Sequence, residues 1–275
     1  MRSNDGGRCL WLSGVVAAAC SILVSGQPLR AAHSPAEACL QRLPVARLEE
    51  QLLCLRKLRE AGPAAVAATP TLCDVLIRSD GTTDHVLIAA ALDVLRSMGH
   101  RAAPAAETLS SLLPHRSKLY KDRDKLLVVR LRAYIMVTLS EIGFPSSALP
   151  ALLDTLAHVD GRMTPIEVGA AARAVGSLGP RGRELAPYLL DALVARLSAE
   201  EFSLERFDPE FPPDEATTVQ LEVVRSLAKV CSAEDRDALA GLRQLAEDRG
   251  GEDPRVVREA QRALKLILSA RGEQQ

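Results

Sequence analysis

Residues 91–113 read ALDVLRSMGHRAAPAAETLSSLL. An apolar helix runs into a Leu-x-x-x-Gly stop at Leu95–Gly99, a short turn follows, and a second helix opens near Pro104. Each part has a physical reason. A glycine just past a helix takes the left-handed conformation that closes the last turn. A proline near a helix start gives up an N–H that has no partner there, and its fixed φ suits the helix. The stretch is therefore a helical hairpin.

The hairpin recurs. It returns at 53–76 (LCLRKLREAGPAAVAATPTLCDVL), at 134–156 (YIMVTLSEIGFPSSALPALLDTL) and at 172–193 (ARAVGSLGPRGRELAPYLLDAL), with a diverged copy at 223–245 (VVRSLAKVCSAEDRDALAGLRQL). The stop glycines Gly62, Gly99, Gly143 and Gly179 are spaced at the length of a helical-hairpin repeat. Pro70, Pro104, Pro150 and Pro187 fall near the second-helix starts. Ser34-Pro35-Ala36-Glu37 and Thr164-Pro165-Ile166-Glu167 read as capping boxes, and Asp253-Pro254 opens the last helix in the same way. Apolar spacing is helical between these signals, as at Leu149, Leu152, Leu153 and Leu156, and no stretch alternates like a strand. Helices are expected at about 35–43, 45–61, 65–79, 84–98, 102–114, 119–142, 147–159, 165–178, 183–198, 215–230, 234–248 and 254–270. One such hairpin cannot bury its apolar face alone, whereas stacked neighbours can. The expected fold is all-α, an α-solenoid of stacked antiparallel helical hairpins over 35–271, with five hairpins and a truncated sixth, then a disordered tail at 272–275.

Composition fits that picture. Of 275 residues, 47% are hydrophobic but only 3% aromatic, so Ala and Leu supply most of the buried surface. Both are strong helix formers. A formal net charge of −1 argues against a general nucleic-acid binder, which is usually clearly basic.

Residues 1–26 differ from the rest. Arg2 and Arg8 precede an apolar run from Cys9 to Val24, short for a membrane span and suited to a signal-peptide core. Three readings stay open. Cleavage after Gly26 gives an exported, periplasmic or extracellular protein with a linker at 27–34. Ala17-Ala18-Ala19-Cys20 resembles a lipoprotein box, with Cys20 the candidate for lipidation. Retention of the segment gives a membrane anchor.

The stretch 253–264 (DPRVVREAQRAL) resembles the first-helix pattern of the HEAT-repeat family, including its phycobilisome-lyase-type branch. Val129-Arg130 before Ala133 and Val224-Arg225 before Ala228 are weaker versions, while the first and fourth copies lack the Val-Arg pair. The resemblance covers about residues 45–270. It implies a HEAT/armadillo-like superhelix in which Arg130, Arg225 and Arg258 link neighbouring repeats. It also implies a concave binding face lined by second helices, near Asp74, Glu107, Asp154 and Asp191. Lyase-type members imply a second function, an enzyme or enzyme accessory acting on a chromophore-bearing partner.

The residues themselves offer little chemistry. His33, His85, His100, His115 and His158 are scattered, and no metal-binding, nucleophile-elbow or phosphate-loop motif is present. Catalytic, metal and cofactor sites are each expected to be absent. Gly176–Gly182 is Gly-rich but falls at a helix end. Cys54 and Cys73 flank the first hairpin turn and are candidate disulfide partners, with Cys39 competing for either and plain buried thiols as the alternative.

Two segments interrupt the repeat. Residues 115–132 (HRSKLYKDRDKLLVVRLR) form a basic connection with Lys118, Lys121, Arg123 and Lys125 as candidate contacts for an acidic partner or anionic headgroups. Its alternative reading is a solvated loop and helix face. Residues 199–215 (AEEFSLERFDPEFPPDE) are acidic and long for a hairpin connection, with Phe202, Phe207 and Phe211 as candidate interface anchors. The alternative is that these rings cover a joint between repeats. The expected function is a non-catalytic protein–protein interaction scaffold or adaptor, exported or membrane-tethered. It is expected to be a monomer with a protein partner and no nucleic acid.

Overall fold

Four glycines set the rhythm of the fold. Gly62, Gly99 and Gly179 have φ of +52°, +56° and +56°, and Gly143 has +121°. These values belong to a region that side-chain-bearing residues rarely adopt, and they fall at the four stops read from the sequence. The computed structural model describes residues 35–43, 46–157, 165–194, 201–202, 217–247 and 253–272. These residues are mainly α-helical.

The helices are α1 (Pro35–Arg42), α2 (Leu48–Ala61), α3 (Thr69–Arg78), α4 (His85–Met98), α5 (Ala106–Leu112) and α6 (Lys125–Ile142). After them come α7 (Leu149–Ala157), α8 (Pro165–Ser177), α9 (Ala186–Val194), α10 (Val219–Val230), α11 (Arg236–Glu247) and α12 (Pro254–Gly272). Proline occupies the first position of α1, α8 and α12, and Asp253 caps α12 by accepting from Arg255 N at 2.8 Å.

Second helices begin later than the sequence suggests. Gly62–Ala68, Gly99–Ala105 and Gly179–Leu185 are 3₁₀ segments, and the α-helix starts only after them. The tighter coil follows directly from the glycine reversal in each case, and in 62–68 (GPAAVAA) small residues fill it and tolerate its eclipsed side chains. Pro70, Pro150 and Pro187 then sit at the second position of α3, α7 and α9, and Pro104 lies inside its 3₁₀ segment. The sixth helix also starts late, at Lys125 rather than near 119. Asp122 adopts φ +61°, and Asp124 caps the helix by accepting from Leu127 N at 2.9 Å. Likewise α10 starts at Val219, where Thr218 Oγ1 accepts from Leu221 N at 3.2 Å.

Helices α2, α4, α6, α8, α10 and α12 pack against one another in sequence order. The second helices flank this row, α3 against α4, α5 against α6, α7 against α8, α9 against α10 and α11 against α12. Of the first helices, α4, α6, α8 and α10 are buried nearly all round, as a helix surrounded by others is. Residues 87–95 of α4 and 131–139 of α6 are buried without a break. Second helices bury a single stripe, such as Leu72 and Leu76 of α3 or Ala238, Leu239 and Leu242 of α11.

Helices α8 and α10 approach each other closely. A Cβ added at Gly176 would meet Ser226 Oγ at 2.6 Å, and that hydroxyl donates to Ala172 O at 2.6 Å. The Ala- and Gly-rich face of α8 is what allows the backbones so near.

Candidate interaction surface

The basic connection between α5 and α6 is bolted down. Leu119 and Tyr120 are buried beneath it. Arg123 donates through Nε to Leu119 O at 2.7 Å, and through Nη2 to Asp80 O at 2.7 Å and Thr83 O at 2.5 Å. Three backbone carbonyls from two connections thus share one guanidinium, and burial lowers its pKa. The receiving turn is itself ordered by Asp80, whose Oδ1 accepts from Thr82 N at 2.9 Å and Thr82 Oγ1 at 2.7 Å. These bonds hold the Asp80 carboxyl below its usual range. Contact is tight enough that a Cβ at Gly81 would fall 1.7 Å from Lys121 O.

Of the four cations singled out in this segment, Arg123 is therefore the latch. Lys118, Lys121 and Lys125 are exposed, together with His115, Arg116 and Leu126.

Beneath the loop lies a buried ion pair. Arg132 and Glu167 are each 1% exposed. Arg132 Nη1 donates to Glu167 Oε1 at 2.7 Å, Nε donates to Leu113 O at 3.0 Å, and Nη1 also meets the His115 ring. The cluster ties the start of the loop to both α6 and α8. Burial, and then the Arg132 charge, lower the His115 pKa. The Tyr120 hydroxyl is buried nearby without a hydrogen-bond partner among the described residues, and burial raises its pKa.

The second interruption is anchored in a similar way. Glu201–Phe202 (β1) pairs antiparallel with Thr217–Thr218 (β2), with Phe202 opposite Thr217. Thr217 Oγ1 donates to Glu222 Oε1 at 3.0 Å. Arg173 adds Nε to Oε2 at 3.0 Å and Nη2 to Oε1 at 3.2 Å, and Arg225 adds Nη1 to Oε1 at 3.2 Å. Burial alone would raise the Glu222 pKa; the bonds from Arg173 and Thr217 and the Arg225 charge outweigh it and hold the group below 4.5. Phe207 and Phe211 lie outside the described residues, as do Cys20 and the rest of the 1–26 segment.

Two ion pairs that cross between first helices are thus Arg132–Glu167 and Arg173–Glu222. The HEAT resemblance assigned that linking role to Arg130, Arg225 and Arg258. Arg225 joins the Glu222 cluster from its own helix, and Arg132 and Arg173 make these two crossings. A signal for them exists in the sequence. Arg173 is a single charge inside the apolar run 168–176, and Arg132 opens directly onto the apolar run 133–137, where a charge needs a partner.

Cys39, Cys54, Cys73 and Cys231 are free thiols. The structure brings Cys54 to Cys39, while the hydroxyl beside Cys73 is that of Thr108. On the second-helix side, a shallow apolar groove of about 500 Å³ runs between α3 and α5, lined by Val66, Pro70, Cys73, Pro104 and Thr108. Asp74, Glu107, Asp154 and Asp191 are exposed on that row, and Glu107 Oε2 accepts from Ser147 Oγ at 2.7 Å. Among the described residues, no group of three or more His, Cys, Asp or Glu side chains is placed to hold a metal ion, and no helix is long and apolar enough to cross a membrane.

A scan against protein-family models finds no match for the chain, and neither does a search of curated proteins. The HEAT-repeat resemblance rests on the repeat's own residues.

Proposed function

We propose that the chain is an exported, HEAT-type α-solenoid that works as a non-catalytic scaffold for an acidic protein partner. The observation that carries this reading is the fixed basic platform between α5 and α6. Arg123, Gly81 and buried Leu119 and Tyr120 hold the loop, and Lys118, Lys121 and Lys125 remain at the surface. Lysines carried on a held backbone spare a docking partner the cost of ordering the loop. They also speed the encounter with an oppositely charged surface. The order of helix contacts and the left-handed glycines support the solenoid reading, and the apolar run at 9–24 supports export.

The test is cross-linked capture from an exported-protein fraction, using two variants that separate charge from platform. Lys118→Glu/Lys121→Glu/Lys125→Glu reverses the charge on an intact loop. Gly81→Ala keeps every cation but drives a Cβ into Lys121 O. Both are expected to lose the protein retained by the wild type while keeping its helical circular dichroism. Equal recovery by all three would overturn the assignment.

A further inference from the structure

Gln51 fixes the register between α1 and α2. Its Nε2 donates to Leu43 O at 2.8 Å, and Leu43 N donates to Cys39 O at 3.0 Å. The link between the two packed helices is short, so they run antiparallel. Cys39 is four residues before Leu43, about 6 Å along α1, and Cys54 is three residues after Gln51, about 4.5 Å along α2. The two cysteines are therefore nearly level. Both face inward, at 5% and 7% exposure, in one core cluster with Leu43, Leu55 and Leu58. Their thiols are neighbours in that cluster. Cys73 stands beside Thr108, and Cys231 lines a different cleft with Pro180 and Leu266.

We propose that Cys39 and Cys54 form an intramolecular disulfide that staples α1 to α2 when the protein meets a small disulfide oxidant. One cysteine thiolate attacks a sulfur of oxidised glutathione, forming a mixed disulfide and releasing one glutathione thiolate. The second cysteine thiolate then attacks the protein sulfur of that mixed disulfide and releases another glutathione. Two protons and two electrons leave the chain and one S–S bond forms. Helix α1 has most to gain, because its main contacts are with α2 and the 62–68 segment. Burial pushes the Cys54 thiol up to about 11, so little thiolate exists at neutral pH and closure is slow once the chain has folded. The reaction accelerates as pH rises. This inference is independent of the partner proposed above.

The experiment incubates the full chain with oxidised glutathione, alkylates the remaining thiols and maps the peptides by mass spectrometry. The expected product carries a Cys39–Cys54 cross-linked peptide two hydrogens lighter than its two free-thiol peptides together, and has alkylated Cys73 and Cys231. Its melting temperature lies several degrees above that of the dithiothreitol-reduced protein. Cys73→Ser is expected to leave the bridge intact and Cys54→Ser to abolish it. Persistent glutathione adducts at Cys39 or Cys54 without a link, or a Cys54–Cys73 peptide, would overturn the proposal.

Discussion

First and second helices are built from the same small apolar residues and end up in opposite surroundings. In α4, α6, α8 and α10 nearly every side meets another helix, so Arg132, Glu167 and Glu222 are sealed in and hydrogen-bonded. In α3, α5, α7 and α9 one stripe is buried, and Asp74, Glu107, Asp154 and Asp191 stand on the other side in solvent. The same kind of carboxylate is thus a joint in one row and a surface feature in the other. Burial sets what each charge is worth.

The largest effect should come from opening the most buried joint. Glu167→Ala leaves Arg132 charged and uncompensated in the interior, which costs about 3–5 kcal/mol. Chemical denaturation measures it directly. The double variant Arg132→Met/Glu167→Leu should recover most of that loss, because a well-packed apolar pair needs no compensation. A double variant as unstable as the single one would show that the pair does more than satisfy itself. Glycines give a second, smaller contrast. Gly176→Ala in α8 pushes a Cβ to 2.6 Å from Ser226 Oγ and should cost about 1–3 kcal/mol. Gly241→Ala in α11 meets only Leu190 Cδ2 at 3.2 Å, the tip of a flexible side chain. Helix propensity favours that change by up to about 1 kcal/mol, so its midpoint should hold or rise.

That contrast also explains what was legible in the sequence. Helix existence, the four stop glycines and the first-position prolines could be read locally, because each depends on a few adjacent residues. The 3₁₀ starts at 62–68, 99–105 and 179–185 could not, since 3₁₀ and α-helix share their composition and differ in how the reversal meets the next layer. Nor could the partners of Arg132 and Arg173. Glu167 is 35 residues from Arg132, and Glu222 is 49 from Arg173. Each pairing exists only once the helices are stacked. The role of Arg123 was hidden likewise. As one of several cations in a polar run it looks like its neighbours, and only the carbonyls of Asp80 and Thr83 set it apart.

Acid should act on the first-helix row through Glu222. Its folded pKa lies below the ordinary value of 4.5, so the unfolded chain binds the proton more readily. The stability it contributes is complete above the unfolded pKa and is lost as pH falls through the folded pKa. Unfolding free energy followed downward from pH 5 should therefore fall less steeply for Glu222→Gln than for the wild type. Parallel curves would mean that the bonds from Arg173, Thr217 and Arg225 favour the charged and neutral forms equally.

The smallest effect belongs to the second-helix row, and its smallness is informative. Asp74→Ala and Asp191→Ala remove exposed carboxylates from α3 and α9, for which surface substitutions typically change stability by less than about 0.5 kcal/mol. Alanine also favours the helix, so the midpoints should stay or rise slightly. A chain that keeps charges on a face where they contribute little to folding leaves that face open to contacts with other molecules. If either variant instead lost more than about 1 kcal/mol, the carboxylate would be tied into its own fold, as Glu222 is. The two rows would then no longer divide into joints and surface.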